Sequence, residues 1–181
     1  MSQAELLRLI VTVLHDLGIR HMLVGSHASS YYGEPRSTHD IDMVIDLPAE
    51  KIAPLISRFD PTRYYLSESA LREGRMANLI DTFTGDKVDL FFAGDSATAK
   101  AELSRSKPGE IFDVDIKLIS PEALILSKGL WSRDIGGSQR QDEDVRLVLR
   151  NQKDKLDWNY LEARIRNHDL VDWFERLRQT P

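Results

Sequence analysis

The 181-residue chain has no cysteine, which excludes disulfide bridges, thiolate metal sites and cysteine nucleophiles at once. It has no long uninterrupted apolar run either. The opening "MSQAELLRLIVTVLHDLG" is broken by Glu5, Arg8, His15 and Asp16, which rules against a signal peptide and a membrane span and makes the cytoplasm the expected compartment. Nor is there a basic excess. Residues 1–99 hold nine Lys or Arg against fourteen Asp or Glu, and 100–181 hold fifteen of each, so neither half reads as a dedicated nucleic-acid surface. Walker loop, dinucleotide fingerprint and the Gly-x-Ser-x-Gly elbow of serine hydrolases are all missing, as are internal repeats and low-complexity segments.

What is present is a soluble globular composition, 41% hydrophobic and 29% charged, in a length suited to one well-buried domain with a small appended subdomain. Leu6, Leu7, Ile10, Val13, Leu14 and Leu17 recur at helical spacing and Gly18 follows as a stop, predicting a helix over 3–17. "HMLVG" reads as a strand and 26–33 as a short helix. "HDIDMVIDL" alternates, with Asp40, Asp42, Val44 and Asp46 on one face and Ile41, Met43 and Ile45 on the other. A helix is expected from Pro48 to about Arg58, then two strands joined at Thr84-Gly85-Asp86, a helix over 96–104 and a single strand in "IFDVDIKLIS". From Pro121 onward four helices are expected, over 121–133, 138–150, 157–167 and 170–178. The order predicts a mixed α/β (α+β) fold: a small mixed sheet flanked by helices over 1–119, then a C-terminal helical subdomain over 120–181.

Asp40 and Asp42 stand at i and i+2 of a strand, so their side chains project from one sheet face with alpha carbons about 6 to 7 Å apart. Paired carboxylates of this kind suit Mg²⁺, a hard cation that takes oxygen ligands. The chain also contains Asp113-Val-Asp115 and Asp142-Glu-Asp144 among its eighteen aspartates, so the pair alone is ambiguous with a solvated strand face. What sets the first pair apart is Gly25-Ser26, separated from Asp40 by thirteen residues and at a strand-to-helix turn. Glycine lets an anion approach the backbone, and Ser26 can cap a helix whose free N–H groups attract phosphate. His27 and His39 flank the motif without spaced partners, which favours surface or hydrogen-bonding roles.

In this order, "LVGS", "DIDMV" and "KVDLFF" resemble the signature of the nucleotidyltransferase superfamily, and in particular the small bacterial proteins grouped with AbiEii-type abortive-infection toxins and antibiotic nucleotidyltransferases. The chain differs in carrying Ser30 where minimal members have a glycine four residues after the serine. The resemblance implies transfer of a nucleoside monophosphate from a nucleoside triphosphate to a hydroxyl acceptor, with release of pyrophosphate. It implies two Mg²⁺ ions, or Mn²⁺, held by Asp40, Asp42 and Asp89, with Asp81 as the competing third acid. Gly25 and Ser26 would seat the triphosphate, and Arg36, Thr38 and Lys128 are further candidate contacts. For Lys128 the plain alternative is a stem laid over apolar surface beside Leu124 and Trp131 with its amine in water. The acceptor stays open between a small-molecule drug, a tRNA end and a protein. The rival reading is a non-catalytic nucleotide-binding or toxin-antitoxin regulatory protein of the same fold.

Overall fold

The computed structural model describes residues 2–179. The chain forms two compact units, one built from residues up to His27 with Ser37–Ile119, the other from Ala28–Arg36 with everything from Ser120 onward. Among the described residues no helix is long and apolar enough to cross a membrane.

The first unit is a seven-stranded mixed sheet with helices. Its strands are β1 (Arg20–Leu23), β2 (Asp40–Asp46), β3 (Tyr64–Leu66), β4 (Met76–Asp81), β5 (Lys87–Phe92), β6 (Lys107–Ile111) and β7 (Val114–Leu118), in the spatial order β3-β4-β5-β2-β1-β7-β6. β2 runs parallel to β5 and antiparallel to β1, so it lies inside the sheet. Alternation along β2 does what its period dictates: Ile41, Met43 and Ile45 are fully buried while Asp40, Asp42, Val44 and Asp46 are half-buried on the other face. Each such apolar side chain contributes about 2 kcal/mol by leaving water. That burial sets the register, because a slip of one residue would turn the aspartates into the core.

Helix α1 (Gln3–Asp16) starts at a capping box in which Ser2 and Glu5 bind each other's backbone N–H groups, and lays Leu6, Leu7, Ile10, Val13 and Leu14 against the sheet. The segment after Pro48 is a 3₁₀ turn (Ala49–Lys51) and then a shorter helix than expected, α3 (Ile52–Ile56). Strand β3 and helix α4 (Glu68–Glu73) carry too few residues to show a period and were not foreseen. Helix α5 (Ala97–Arg105) meets expectation.

The single strand expected in "IFDVDIKLIS" is instead the second half of a hairpin. Phe112 and Asp113 form the turn with φ of 53° and 57°, both left-handed, where Asn-Gly is the usual pair. Pro108 and Gly109 hide β6 from a propensity reading, and Pro108 is tolerated because β6 is an edge strand.

The second unit is helical: α6 (Pro121–Asp134), α7 (Gln139–Gln152), α8 (Trp158–Asn167) and α9 (Val171–Gln179), with Ala28–Arg36 alongside. Helix α2 (Gly25–Tyr32) begins in the first unit and ends in the second. Ser120 caps α6 by accepting from the Ala123 N–H, and Pro121 takes the first turn where a missing N–H costs nothing. Helix α6 is buried almost all round, and a side chain at Gly129 would come within 2.6 Å of the Trp173 ring. Asn151 and Gln152 of α7 donate to the Gly33 and Tyr32 carbonyls, fixing the 28–36 segment within this unit.

Candidate functional site

The exposed-side residues of β2 meet those of β5 in register. Asp40 stands opposite Lys87 and Asp42 opposite Asp89, while Asn78 of β4 stands opposite Asp89 on its other side. Opposite charges across a pair stabilise a sheet and like charges do the reverse, so this square holds one favourable and one unfavourable pairing. The Lys87 ammonium moderates the conflict by lying 3.0 Å from Asp89 Oδ2 and 3.4 Å from Asp40 Oδ2. Asn78 donates its amide to Asp89 Oδ1, and Asp89 is buried.

Asp42 carries the cost of the arrangement. Burial pushes its pKa up to about 6, and the neighbouring charges of Asp89 and Asp40 push the same way. The Ser26 backbone N–H, which donates to the Asp42 carboxylate, and the Lys87 charge act in the opposite sense without cancelling the rise.

Gly25 is required twice over. Its φ of +64° is left-handed, and a Cβ there would lie 2.0 Å from Asp42 Oδ2. The turn and the carboxylate are therefore one packed object. Because α2 starts at Gly25, Ser26 sits inside the first turn and not at the cap expected from the sequence. Gly25, Ser26, Asp40, Asp42 and Asp89 are thus brought together in the first unit.

Other candidates fall elsewhere. The Thr38 carbonyl accepts from the Gln3 side chain, as does that of His39. His27 is buried and meets the Phe112 ring edge-on at 5.2 Å. Asp81 shares a sheet face with Leu79, not with Asp89. It is buried with the Arg63 guanidinium, 2.9 Å away, whose hydrogen bonds hold its carboxyl below the usual range. It therefore takes no part in the acid cluster. The rival pairs also dissolve: Asp113 belongs to the hairpin turn, and Asp142 and Asp144 are two apart on α7, where such neighbours do not face each other.

Arg36 and Lys128 lie in the second unit, and both are bound to Asp144. Arg36 makes a two-pronged pair with its carboxylate at 2.9 and 2.8 Å, and the Lys128 ammonium lies 2.7 Å from Asp144 Oδ2 and from Gln141 Oε1. Burial pushes the Asp144 pKa up, but the hydrogen bonds from Arg36 and Lys128 outweigh it and leave the group below its ordinary value. The plain alternative for Lys128, an amine kept in water, does not hold, since the residue is 5% exposed. Trp131, expected on the same side, is 58% exposed instead. Asp142 is likewise engaged, accepting from Trp173 and Arg176.

Among the described residues no three acidic or histidine side chains stand arranged to hold one ion as they are. In the acid cluster the Lys87 ammonium spans two of the three carboxylates and supplies part of their countercharge. The donor set itself, three carboxylates with an excess of negative charge, fits a hard divalent cation such as Mg²⁺. Lys87 and Asn78 were missed in the sequence. The available signal was parity, because Lys87 precedes Asp89 by two residues on a strand and so shares its face.

No protein-family model and no curated protein matches the chain. Solved structures do. The antibiotic-resistance factor ANT(2'')-Ia aligns over 98% of this chain and 98% of its own, with a TM-score of 0.58 and 16% identity. The lincosamide antibiotic adenylyltransferase LnuA, solved with lincomycin bound, aligns over 82% of this chain and 96% of its own, at 0.55 and 14%. An antigenic nucleotidyltransferase-like protein from Paracoccidioides brasiliensis aligns over 94% and 92%, at 0.55 and 18%. The chain has a nucleotidyltransferase-like fold.

Two outcomes follow from the charge arrangement. A carboxyl whose folded pKa lies above its unfolded value holds its proton more tightly when folded. The stability it contributes is therefore present below the ordinary value of 3.8 and lost as pH rises through about 6. Asp42→Asn should then be more stable than wild type in metal-free buffer at pH 7.5, with the gain fading to nothing by pH 3.8, as read by chemical denaturation across pH. In the second unit, Asp144→Ala leaves two cations without their shared carboxylate and should cost about 3 kcal/mol or more in the same assay.

Proposed function

We propose that this chain is a metal-dependent nucleotidyltransferase that moves a nucleoside monophosphate from a nucleoside triphosphate to a hydroxyl acceptor. The observation that carries the proposal is the square of Asp40, Asp42, Asp89 and Lys87 packed against the Gly25-Ser26 turn. An ordinary solvated strand face does not gather three carboxylates at the cost borne by Asp42.

In this reading residues 1–119 form the catalytic core and 120–181 a helical subdomain. Asp40, Asp42 and Asp89 hold Mg²⁺, which when bound neutralises phosphate charge and lowers the pKa of a hydroxyl. Gly25 leaves the room in which the Asp42 carboxylate lies against the turn, and the Ser26 backbone N–H would donate to a phosphate oxygen on release from Asp42. Asp89 accepts the proton of the attacking hydroxyl. The acceptor oxygen bonds to the α-phosphorus as the bond to the bridging β-phosphate oxygen breaks, and pyrophosphate leaves. Asn78 orients the Asp89 carboxylate for this task. Thr38, Arg36 and Lys128 are proposed as further nucleotide contacts, the last two on release from Asp144.

The acceptor is proposed to be a hydroxylated small molecule, the class met by LnuA with lincomycin and by ANT(2'')-Ia in complex with adenylyl-2''-tobramycin. A tRNA end or a protein side chain is the competing acceptor. Membership of the AbiEii-type group, with a toxin-antitoxin setting, is a finer part of the proposal and rests on the sequence resemblance alone.

The test pairs binding with turnover. Wild-type protein with Mg²⁺, each of the four triphosphates and pools of antibiotic, tRNA and protein should release pyrophosphate with one pool. Asp89→Asn should keep triphosphate affinity within about threefold while transfer drops by about a hundredfold or more, the scale of a lost general base. Triphosphate binding without pyrophosphate release from any pool would favour a non-catalytic binding protein.

A further inference from the structure

Lys87 has no assigned part in the resemblance that points to Asp89, yet its side chain contacts two members of the acid cluster. It stands directly across from Asp40 and two residues before Asp89, so both carboxylates lie on its own face of the sheet. Its ammonium reaches both, at 3.4 and 3.0 Å. Two further donors on the cluster, the Asn78 amide and the Ser26 backbone N–H, are neutral. Three carboxylates with one ammonium leave two formal negative charges, which is the charge of one divalent cation.

We propose that Lys87 is an internal counter-ion that competes with the divalent cation for Asp40 and Asp89 and so couples metal binding to nucleotide binding. The inference rests on the proposed function, since it takes those acids as the metal's ligands. A metal arriving alone must break two ion pairs and leave a half-buried ammonium beside a dication. A metal arriving with a triphosphate brings the acceptors that the released ammonium needs. The nucleotide therefore removes a cost that the metal otherwise meets, and by linkage the metal does the same for the nucleotide. Lys87 is a positioning residue in this scheme. It makes the site hold metal weakly at rest and firmly when substrate is present.

The experiment is Mn²⁺ titration by calorimetry into wild type, Lys87→Met and Lys87→Gln, with Lys87→Arg as the control that keeps the charge, each with and without a saturating non-hydrolysable ATP analogue. Two charge-free variants guard against one that fails to fold, checked by circular dichroism. The charge-free variants should bind Mn²⁺ alone about tenfold more tightly than wild type, and the tightening produced by nucleotide should be about tenfold smaller in them than in wild type. Lys87→Arg should follow wild type. If all proteins bind Mn²⁺ in the presence of nucleotide but the charge-free variants match wild type without it, the counter-ion role is wrong and the site assignment stands. If none binds Mn²⁺ even with nucleotide, the proposed function falls and this inference with it.

Discussion

The sheet register between β2 and β5 is the constraint on which the rest depends. Burying Ile41, Met43 and Ile45 on one strand with Val88 and Leu90 on the other forbids a one-residue slip, and the register adopted places Asp42 opposite Asp89. The core thus imposes a like-charge contact on the opposite face. Lys87 opposite Asp40 and the Ser26 N–H on Asp42 are the local responses, and they leave the Asp42 carboxyl with a raised pKa. A residual negative field on an otherwise well-packed sheet is what attracts a divalent cation.

Gly25 ties the turn to the same constraint. A carboxylate held against a left-handed glycine leaves no room for a side chain, so the residue type follows from the position of Asp42 as much as from the turn. The second unit resolves its charges differently. There Asp144 gathers Arg36 and Lys128 into a closed, buried cluster, and Asp142 binds Trp173 and Arg176. Groups with their hydrogen bonds met in this way hold helices in place, whereas the first unit keeps an unbalanced charge.

Much of this was legible in the sequence because it rests on short-range periodicity. The alternation of "HDIDMVIDL" gives both faces of β2, and the 3.6-residue spacing of Leu6 to Leu14 gives α1. The Gly25-Ser26 turn and the three acids were readable as a set, and the structure brings them together. What escaped depends on chain segments far apart or on weak local signals. The hairpin β6–β7 turns through Phe112 and Asp113, of which the first is a rare residue at positive φ, and β6 contains proline and glycine. Lys128 on an apolar helix reads equally as a solvated lysine or a ligand contact, and its pairing with Asp144 on the next helix leaves no trace in either segment. Asp81 and Asp89 are alike in sequence. Only the antiparallel register of β4 and β5 puts one with Arg63 and the other with Asp42.

In the proposed reading the β2–β5 acid cluster is a cation site for a nucleotide. The most direct test of that reading is a crystal grown with Mn²⁺ and a non-hydrolysable ATP analogue, with data collected for manganese anomalous scattering. The account predicts an anomalous peak about 2.1 Å from carboxylate oxygens of Asp40 and Asp42, with the analogue's phosphates at the Gly25-Ser26 turn and the Lys87 ammonium moved off Asp40. Manganese bound only elsewhere, at Asp113 and Asp115 for example, with Lys87 still spanning Asp40 and Asp89, would contradict it.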